Sequence, residues 1–321
     1  MTFETRKIGK TNTSVTSVSF GCASIGNLYR ETSDAEAMEV MDAAWEQGIR
    51  YFDTAPHYGR GRSEQRLGKF LASKPREDIV ISTKVGRVLS PGQQHAQMEG
   101  FVNPLPNDVR YDYSGDGIEA SLEGSRERLG TAYIDIVFVH DIGVRTHGDA
   151  NDMHLAAFMD SGYERLVRLK EKGAIGAIGL GVNETEICTE IMQQVPLDVI
   201  LLAGRLTLLD RSAEDALVPM CKEAGTSLVL GGIFNSGILA TGAVEGATYD
   251  YAPASDQILR QVETLEAKAN AQGLPLATAA LHFAIDHPQT ASALIGTAKL
   301  SSLKRNIDAL RLERTPAASR R

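Results

Sequence analysis

The 321-residue sequence carries 41 acidic and 33 basic side chains, for a formal net charge of -8 and a pI of about 5.5. Nucleic acids and anionic membranes require clustered positive charge, which the sequence lacks, so we predict binding to neither. The 43% hydrophobic and 23% charged content is typical of a soluble globular protein. Because we find no signal-like leader and no apolar run near the ~20 residues of a membrane span, we expect a cytoplasmic protein.

The three cysteines, Cys22, Cys188 and Cys221, are widely spaced in apolar surroundings. An odd number of cysteines without metal-ligand spacing favours small reduced hydrophobic side chains. We therefore predict neither a disulfide framework nor a metal site.

The chain begins with a predicted β-hairpin between Phe3 and Val15, with Gly9–Asn12 at its turn. From Val18 onward, short apolar runs alternate with segments of helical period. A clear example is the helix predicted from Asp34 to Gln47, where Ser33 or Asp34 can cap the start and Gly48 can end it.

Eight strands are predicted after the hairpin, and they alternate with helices. The strands are 18–21, the run into Asp53, 79–84, 134–141, 175–182, 199–203, 227–231 and 293–296; the helices are 34–47, 63–71, 117–129, 163–172, 216–224, two from about 257 and 276, and 300–310. Strands apolar on both faces require a parallel sheet covered by helices. We predict one domain over residues 1–321, a (β/α)₈ TIM barrel with an N-terminal hairpin. A doubly wound sheet stays possible, but the Gly-x-Gly-x-x-Gly turn that would support it is missing after the first strand.

Two long connections, Val88–Asp116 and Gly143–Gly162, follow the third and fourth strands. Both leave the carboxyl ends of strands, which form the active-site face of such barrels. Long loops in compact domains are usually functional, so we interpret these two as substrate lids.

Polar side chains lie where three successive strands end. Asp53 and His140 close two strands and Lys84 closes the strand between them, while Tyr58 lies on the loop after Asp53. An ammonium near a phenol favours the phenolate and lowers a tyrosine pKa from its usual ~10. Tyr58 can then exchange a proton with a substrate oxygen, with Lys84 oriented by Asp53. The plainer alternative is a buried salt bridge that joins neighbouring strands.

None of these groups transfers hydride, so the set implies a cofactor. His140 can bond the same substrate oxygen, and His57 borders the predicted pocket as a candidate substrate contact. A small-molecule substrate is therefore expected.

The motifs around these residues resemble the aldo-keto reductase superfamily along essentially the whole chain. They are Asp53-Thr-Ala-Pro-His-Tyr-Gly59, Ser63-Glu-Gln-Arg-Leu-Gly68, Ser82-Thr-Lys-Val-Gly86 and Asp135-Ile-Val-Phe-Val-His-Asp141. By this resemblance Asp53, Tyr58, Lys84 and His140 match the catalytic tetrad. A histidine at position 140, where steroid-specialised members carry glutamate, implies carbonyl or hemiacetal chemistry.

Within the superfamily, Leu201–Arg205, Gly231–Gly237 and the long loop after Lys84 resemble bacterial aldose 1-dehydrogenases of the D-threo-aldose or L-fucose type and pyridoxal 4-dehydrogenase. Their substrates are cyclic hemiacetals that become lactones. One alternative is an NADPH-dependent aldehyde or ketone reductase. Another is a non-catalytic cofactor-binding regulatory subunit, which would need an additional partner-binding segment; the tail 314–321 is predicted to be disordered instead. We expect a monomer or a small homo-oligomer.

The resemblance also implies the cofactor contacts. They are Asn183 for the carboxamide, Gly231, Phe234, Asn235, Ser236 and Gly237 for the pyrophosphate region, and Gly296, Thr297, Ser302 and Asn306 for the adenosine. Relatives that use NADP carry an arginine where this chain has Ser302. A hydroxyl cannot pair with a phosphate dianion, so the resemblance favours NAD; the nearby Lys299, Lys304 and Arg305 leave NADP possible.

Overall fold

The computed structural model describes residues 3–312 and contains a closed barrel of eight parallel strands surrounded by helices. The strands are β1 Thr5–Lys7, β2 Ser14–Thr16, β3 Val18–Gly21, β4 Tyr51–Asp53, β5 Val80–Val85, β6 Arg87–Pro91, β7 Gln97–Met98, β8 Phe101–Val102, β9 Asn107–Tyr111, β10 Ile134–His140, β11 Ile175–Val182, β12 Val199–Ala203, β13 Ser227–Gly231, β14 Thr248–Tyr249, β15 Ala252–Pro253 and β16 Thr290–Gly296. The helices are α1 Asp34–Glu46, α2 Arg62–Leu71, α3 Gly115–Leu129, α4 Val144–His147, α5 Asn151–Ala157, α6 Tyr163–Glu171, α7 Glu186–Met192, α8 Leu217–Ala224, α9 Ile238–Thr241, α10 Asp256–Ala271, α11 Leu276–Asp286 and α12 Leu300–Arg311.

The barrel follows the chain order β3-β4-β5-β10-β11-β12-β13-β16 and closes by pairing of β16 with β3. This closure confirms the predicted (β/α)₈ barrel and rules out the doubly wound sheet. The eight strand predictions agree with the structure, although β16 begins three residues earlier than predicted. Helix α7, between β11 and β12, was not assigned from the sequence.

The N-terminal hairpin is confirmed, with β1 antiparallel to β2. Ile8, between the two strands of the hairpin, and Val15, in β2, are fully buried. They pack with residues inside the barrel such as Phe138 and Val199. A barrel interior is a packed core, so this hairpin seals its amino-terminal end. The candidate site lies at the opposite end of the barrel, where the strands have their carboxyl ends.

Helix α1 shows how the outer layer is specified. Ser33 accepts a hydrogen bond from the Glu36 amide, and the Glu36 carboxylate accepts one from the Ser33 amide, which forms a capping box. The buried face comprises Ala37, Val40, Met41 and Ala44, at the spacing of one helical stripe. The predicted cap and stripe are both confirmed.

The connections differ more from prediction. The segment after β5 folds into two small antiparallel pairs, β6 with β9 and β7 with β8. The segment Gly143–Gly162 was predicted to be a lid loop but is mostly helical, with α4, α5 and a π-turn over Phe158–Gly162. Residues such as Leu155 and Ala157 have high helix propensity, which explains the correction. A third long connection, 232–255, was not singled out.

All three cysteines are buried free thiols. Among residues 3–312, we find no helix long and apolar enough to cross a membrane. The predicted disorder of the tail 314–321 falls outside the described residues.

Candidate active site

A buried ion pair joins two neighbouring strands at the carboxyl end of the barrel. Lys84 Nζ donates to Asp53 Oδ2 at 2.7 Å and to the Thr54 carbonyl at 2.9 Å. Ser82 Oγ donates to the other Asp53 oxygen at 2.7 Å. Lys84 is 1% exposed and Asp53 2% exposed, so water screens neither charge. Asp53 therefore holds the lysine in one position, as the sequence predicted.

The charge of Lys84 is maintained by its partners. Burial opposes the ammonium form, but Asp53 and Tyr58 outweigh that effect, so the pKa of Lys84 is raised above its usual value. Glycine at position 181 on β11 leaves room for the side chain, because a Cβ there would lie 3.3 Å from Lys84 Cε. Strand β11, which is separated from β5 by β10, therefore leaves space for the Lys84 side chain.

Tyr58 lies on the loop after β4, beside the ammonium. Lys84 Nζ is 4.6 Å from the centre of the phenol ring, and the His140 ring lies edge-on to it with 6.0 Å between ring centres. Burial raises the pKa of Tyr58 to about 12, and Lys84 opposes this rise only in part. The sequence-based expectation of a Tyr58 pKa lowered toward neutrality is therefore wrong, because desolvation of the phenolate exceeds the attraction of the ammonium.

His140 ends β10 and is 5% exposed. Its Nε2 lies 3.3 Å from Asp141 Oδ2, while its buried Nδ1 has no hydrogen-bond partner among the described residues. Burial, followed by the positive charge of Arg87, places the pKa of His140 well below its usual value. A neutral imidazole with its proton on Nε2 matches this arrangement, since the carboxylate faces that nitrogen.

Arg87, just past β5, connects two side chains of the site. Its guanidinium contacts His57 Nδ1 at 2.9 Å and donates to Asp141 Oδ2 at 2.5 Å. The Arg87 side chain is 5% exposed. Neither Arg87 nor Asp141 was predicted as a site residue, although a buried charge directly beside the Lys84 and His140 motifs was the available signal.

These groups surround a cavity of about 440 Å³. The strand ends supply Asp53, Lys84, His140 and Asp141, and Tyr58 and His57 come from the loop after β4. Further lining residues lie in the connections between barrel strands and were not predicted. They are Leu28, Tyr29, Glu99, Phe101 of β8, Arg145 of α4 and Tyr251. The four predicted catalytic residues and His57 therefore meet in one cavity.

Comparison with known proteins identifies the group to which this chain is related. The model of the aldo/keto reductase family matches residues 17–318. The chain belongs to this family. It is 39% identical over 315 residues to a pyridoxal 4-dehydrogenase of Microbacterium luteolum, covering 95% of this chain and 92% of that protein. It is 36% identical over 306 residues to a D-threo-aldose 1-dehydrogenase of a Pseudomonas species, covering 93% and 90%.

A solved structure supports the same assignment. The holo form of an aldo-keto reductase from Bacillus halodurans has a TM-score of 0.76 and 26% identity, covering 98% of this chain and 93% of that chain. The predicted resemblance is thereby confirmed. As an aldo-keto reductase, this protein is an oxidoreductase that uses a nicotinamide cofactor.

The cavity wall of this aldo-keto reductase can accept an extended cofactor. Residues with little or no side chain border it, namely Gly21, Ala203, Gly231, Gly232 and Gly296. Such residues let a ligand approach the backbone closely. Among the predicted cofactor contacts, Asn183, Gly231 and Gly296 line this cavity, and the Asn183 amide donates to the Tyr251 hydroxyl at 3.2 Å.

Apart from Gly231, the predicted pyrophosphate contacts lie in the turn after β13, outside the wall of the described cavity. Asn235 accepts from Thr207 Oγ1 at 2.5 Å and donates to the Gly204 carbonyl at 3.0 Å, so its side chain fixes the loop. Ser236 Oγ accepts from the Tyr251 amide at 2.9 Å. Phe234 packs against the core and Gly237 has φ +102°. Any pyrophosphate contact here therefore falls to the backbone rather than to the Asn235 side chain.

The predicted adenosine contacts lie around the start of α12, and the side chains of this group also lie outside the cavity wall. Thr297 Oγ1 accepts from the Lys299 amide at 3.0 Å. Ser302 Oγ accepts a hydrogen bond from Arg305 at 3.1 Å. A guanidinium therefore lies beside Ser302, the residue on which the expectation of NAD rests. Asn306 follows on the same helix and is partly buried.

Proposed function

We propose that this aldo-keto reductase is an NAD-dependent dehydrogenase that oxidises a cyclic hemiacetal, either an aldose such as L-fucose or pyridoxal, to its lactone. The observation that carries the proposal is the meeting of Tyr58, the Lys84–Asp53 pair and His140 in one cavity. The named relatives at 39% and 36% identity support the hemiacetal substrate class, since both are named as dehydrogenases of such compounds.

In this mechanism the protein manages the proton of the substrate. The Tyr58 phenolate takes the proton of the anomeric hydroxyl, whose oxygen becomes the lactone carbonyl oxygen. Lys84 stabilises the phenolate by its charge, and Asp53 keeps Lys84 in position. His140 donates a hydrogen bond from Nε2 to the same substrate oxygen and so orients the substrate. A bound nicotinamide supplies the hydride acceptor.

Oxidised cofactor would lie along the glycine-rich wall, with its carboxamide at Asn183. We propose NAD because Ser302 provides a hydroxyl where a 2′-phosphate would need a cation. The contact of Arg305 with Ser302 at 3.1 Å is the observation that favours NADP as the alternative.

A second candidate is reduction of an aldehyde or ketone. It is favoured by the pKa of Tyr58, which at about 12 keeps the phenol protonated at neutral pH and ready to donate to a carbonyl oxygen. Both directions use the same four residues, and cofactor and substrate decide between them.

The experiment is a substrate and cofactor panel followed by absorbance of reduced nicotinamide. L-fucose, D-arabinose, L-galactose and pyridoxal are each tested with NAD and NADP. We expect turnover with at least one of them and preference for NAD. If all four remain unoxidised with both cofactors while an aldehyde panel is reduced with NADPH, the reductase replaces our proposal.

A further inference from the structure

We propose that Asp141 accepts a hydrogen bond from a substrate hydroxyl on the atom next to the reacting centre, and that Arg87 positions Asp141 for this. This inference rests on the proposed function and names the feature that a good substrate must carry. Asp141 thereby becomes a specificity-determining residue, and Arg87 a positioning residue.

The first step is the location of the carboxylate. Asp141 follows His140 directly and lines the same cavity. Its Oδ2 is 3.3 Å from His140 Nε2, the nitrogen that donates to the reacting oxygen in the mechanism proposed above. Hydroxyls on adjacent carbons lie within hydrogen-bonding reach of one another, so a carboxylate beside the first oxygen can also meet the second.

The second step is that the two carboxylate oxygens of Asp141 have different partners. Oδ2 accepts from Arg87 and faces His140. Within residues 3–312 no hydrogen bond engages Oδ1. An ionised carboxylate is an acceptor only, and the Asp141 side chain is 24% exposed, so Oδ1 is open to a donor such as a substrate hydroxyl.

The third step concerns the effect of Arg87 on His57, which becomes a hydrogen-bond donor to the cavity. A guanidinium cannot accept a hydrogen bond, so its contact with His57 Nδ1 at 2.9 Å makes that nitrogen the acceptor. The neutral His57 ring then carries its proton on Nε2, and His57 also lines the cavity. One buried cation thus fixes an acceptor, Asp141, and a donor, His57, on the same wall. Such alternation suits a polyhydroxylated substrate.

The backbone adds further support. Asp141 has φ +48°, in the left-handed region that aspartate and asparagine tolerate better than most side chains. Its amide donates to the Gly181 carbonyl at 2.9 Å, which anchors the turn to β11. The carboxylate is therefore held by its backbone as well as by Arg87, and a preorganised acceptor discriminates well.

Of the two proposed substrate types, the aldose carries the required group, a hydroxyl on the carbon next to its anomeric carbon. In pyridoxal the phenolic hydroxyl is one carbon further from the reacting centre, so the inference concerns aldose substrates. A substrate without this group leaves Asp141 Oδ1 without a donor in the closed complex, which we expect to lower kcat/KM by about 10- to 100-fold.

The test compares D-arabinose with 2-deoxy-D-ribose, which differs from it only by lacking the 2-hydroxyl, and L-fucose with 2-deoxy-L-fucose. For the unmodified protein we expect the ratio of kcat/KM within a pair to be about 10 to 100. In Asp141→Gly, which accepts the left-handed backbone, the ratio should fall to about 1 to 3, because the acceptor is gone. Asp141→Asn, which keeps a neutral acceptor, should give an intermediate ratio. A mere folding defect would lower both rates and leave the ratio unchanged.

Asp42→Asn is the matched control, since Asp42 is a carboxylate of α1 that pairs with Lys74 at 2.8 Å and does not line this cavity. Its ratio should equal that of the unmodified protein. Equal rates for hydroxylated and deoxy sugars in the unmodified protein would overturn the inference and leave the dehydrogenase proposal standing, as would an undiminished ratio in Asp141→Gly. Absence of oxidation of all sugars and pyridoxal would overturn both.

Discussion

The ion pair of Lys84 and Asp53 offers the sharpest test of the site, through the substitution Asp53→Asn. Asparagine has nearly the same shape and can still accept from Lys84, so the change removes charge while it preserves volume. Lys84 would keep its bond to the Thr54 carbonyl but lose the carboxylate at 2.7 Å. Breaking a buried pair by removing one partner costs about 3–5 kcal/mol. Because two neutral acceptors remain, we expect about 3 kcal/mol.

The measurement is urea denaturation followed by the fluorescence of Trp45, the one tryptophan of the sequence. For an m value of about 3 kcal/mol/M, a loss of about 3 kcal/mol lowers the midpoint by about 1 M. The double variant Asp53→Asn with Lys84→Met provides the control. It removes both charges, so no buried ammonium is left without a counter-charge, and part of the lost stability should be recovered. Without Lys84 the double variant should be inactive.

Two results would refute this reasoning. A midpoint shift below about 0.3 M in Asp53→Asn would mean that Lys84 does not depend on the carboxylate. A double variant less stable than Asp53→Asn would mean that the ammonium stabilises the fold through its other contacts.

Four further predictions concern the same site. Tyr58→Phe should lower kcat by about 100- to 10,000-fold while cofactor titration gives an unchanged Kd; near-normal turnover would remove the proton-transfer role. Gly181→Ala should displace Lys84 and lower kcat/KM by roughly tenfold, whereas Gly124→Ala on α3, outside the site, should leave it unchanged. Because oxidation needs the phenolate of a tyrosine whose pKa is about 12, log kcat/KM should rise with pH, with a slope of about +1, up to pH ~10. The lowered pKa of His140 predicts no inflection between about pH 6 and 8, and a clear one there in the pH profile would contradict the neutral imidazole.

Much of the fold follows from local sequence. The apolar strands, the helical stripes and caps such as Ser33 with Glu36 are set by contacts within a few residues of one another. Parallel strands need crossovers and present their carboxyl ends together, so the convergence of Asp53, Lys84 and His140 was foreseeable once the strand count was known.

The errors have physical causes too. The segment Gly143–Gly162 contains good helix formers but lacks an extended periodic stripe, and its histidines pack against rings from another segment, His147 on Tyr111 and His154 on Tyr113. The raised pKa of Tyr58 reflects the degree of burial, which a sequence does not state. A pKa depends on the balance of desolvation and charge at one point in space.

The sequence by itself determined the barrel, its hairpin and the four residues at its carboxyl end, because strand periodicity and motif spacing are local properties. Only the tertiary structure decided that Arg87 joins His57 to Asp141, and that Tyr29, Phe101 and Tyr251 complete the cavity. Those residues are up to 222 positions apart, from Tyr29 to Tyr251, in connections between barrel strands that lack a repeating apolar pattern. Their meeting is fixed by how the loops pack over the barrel.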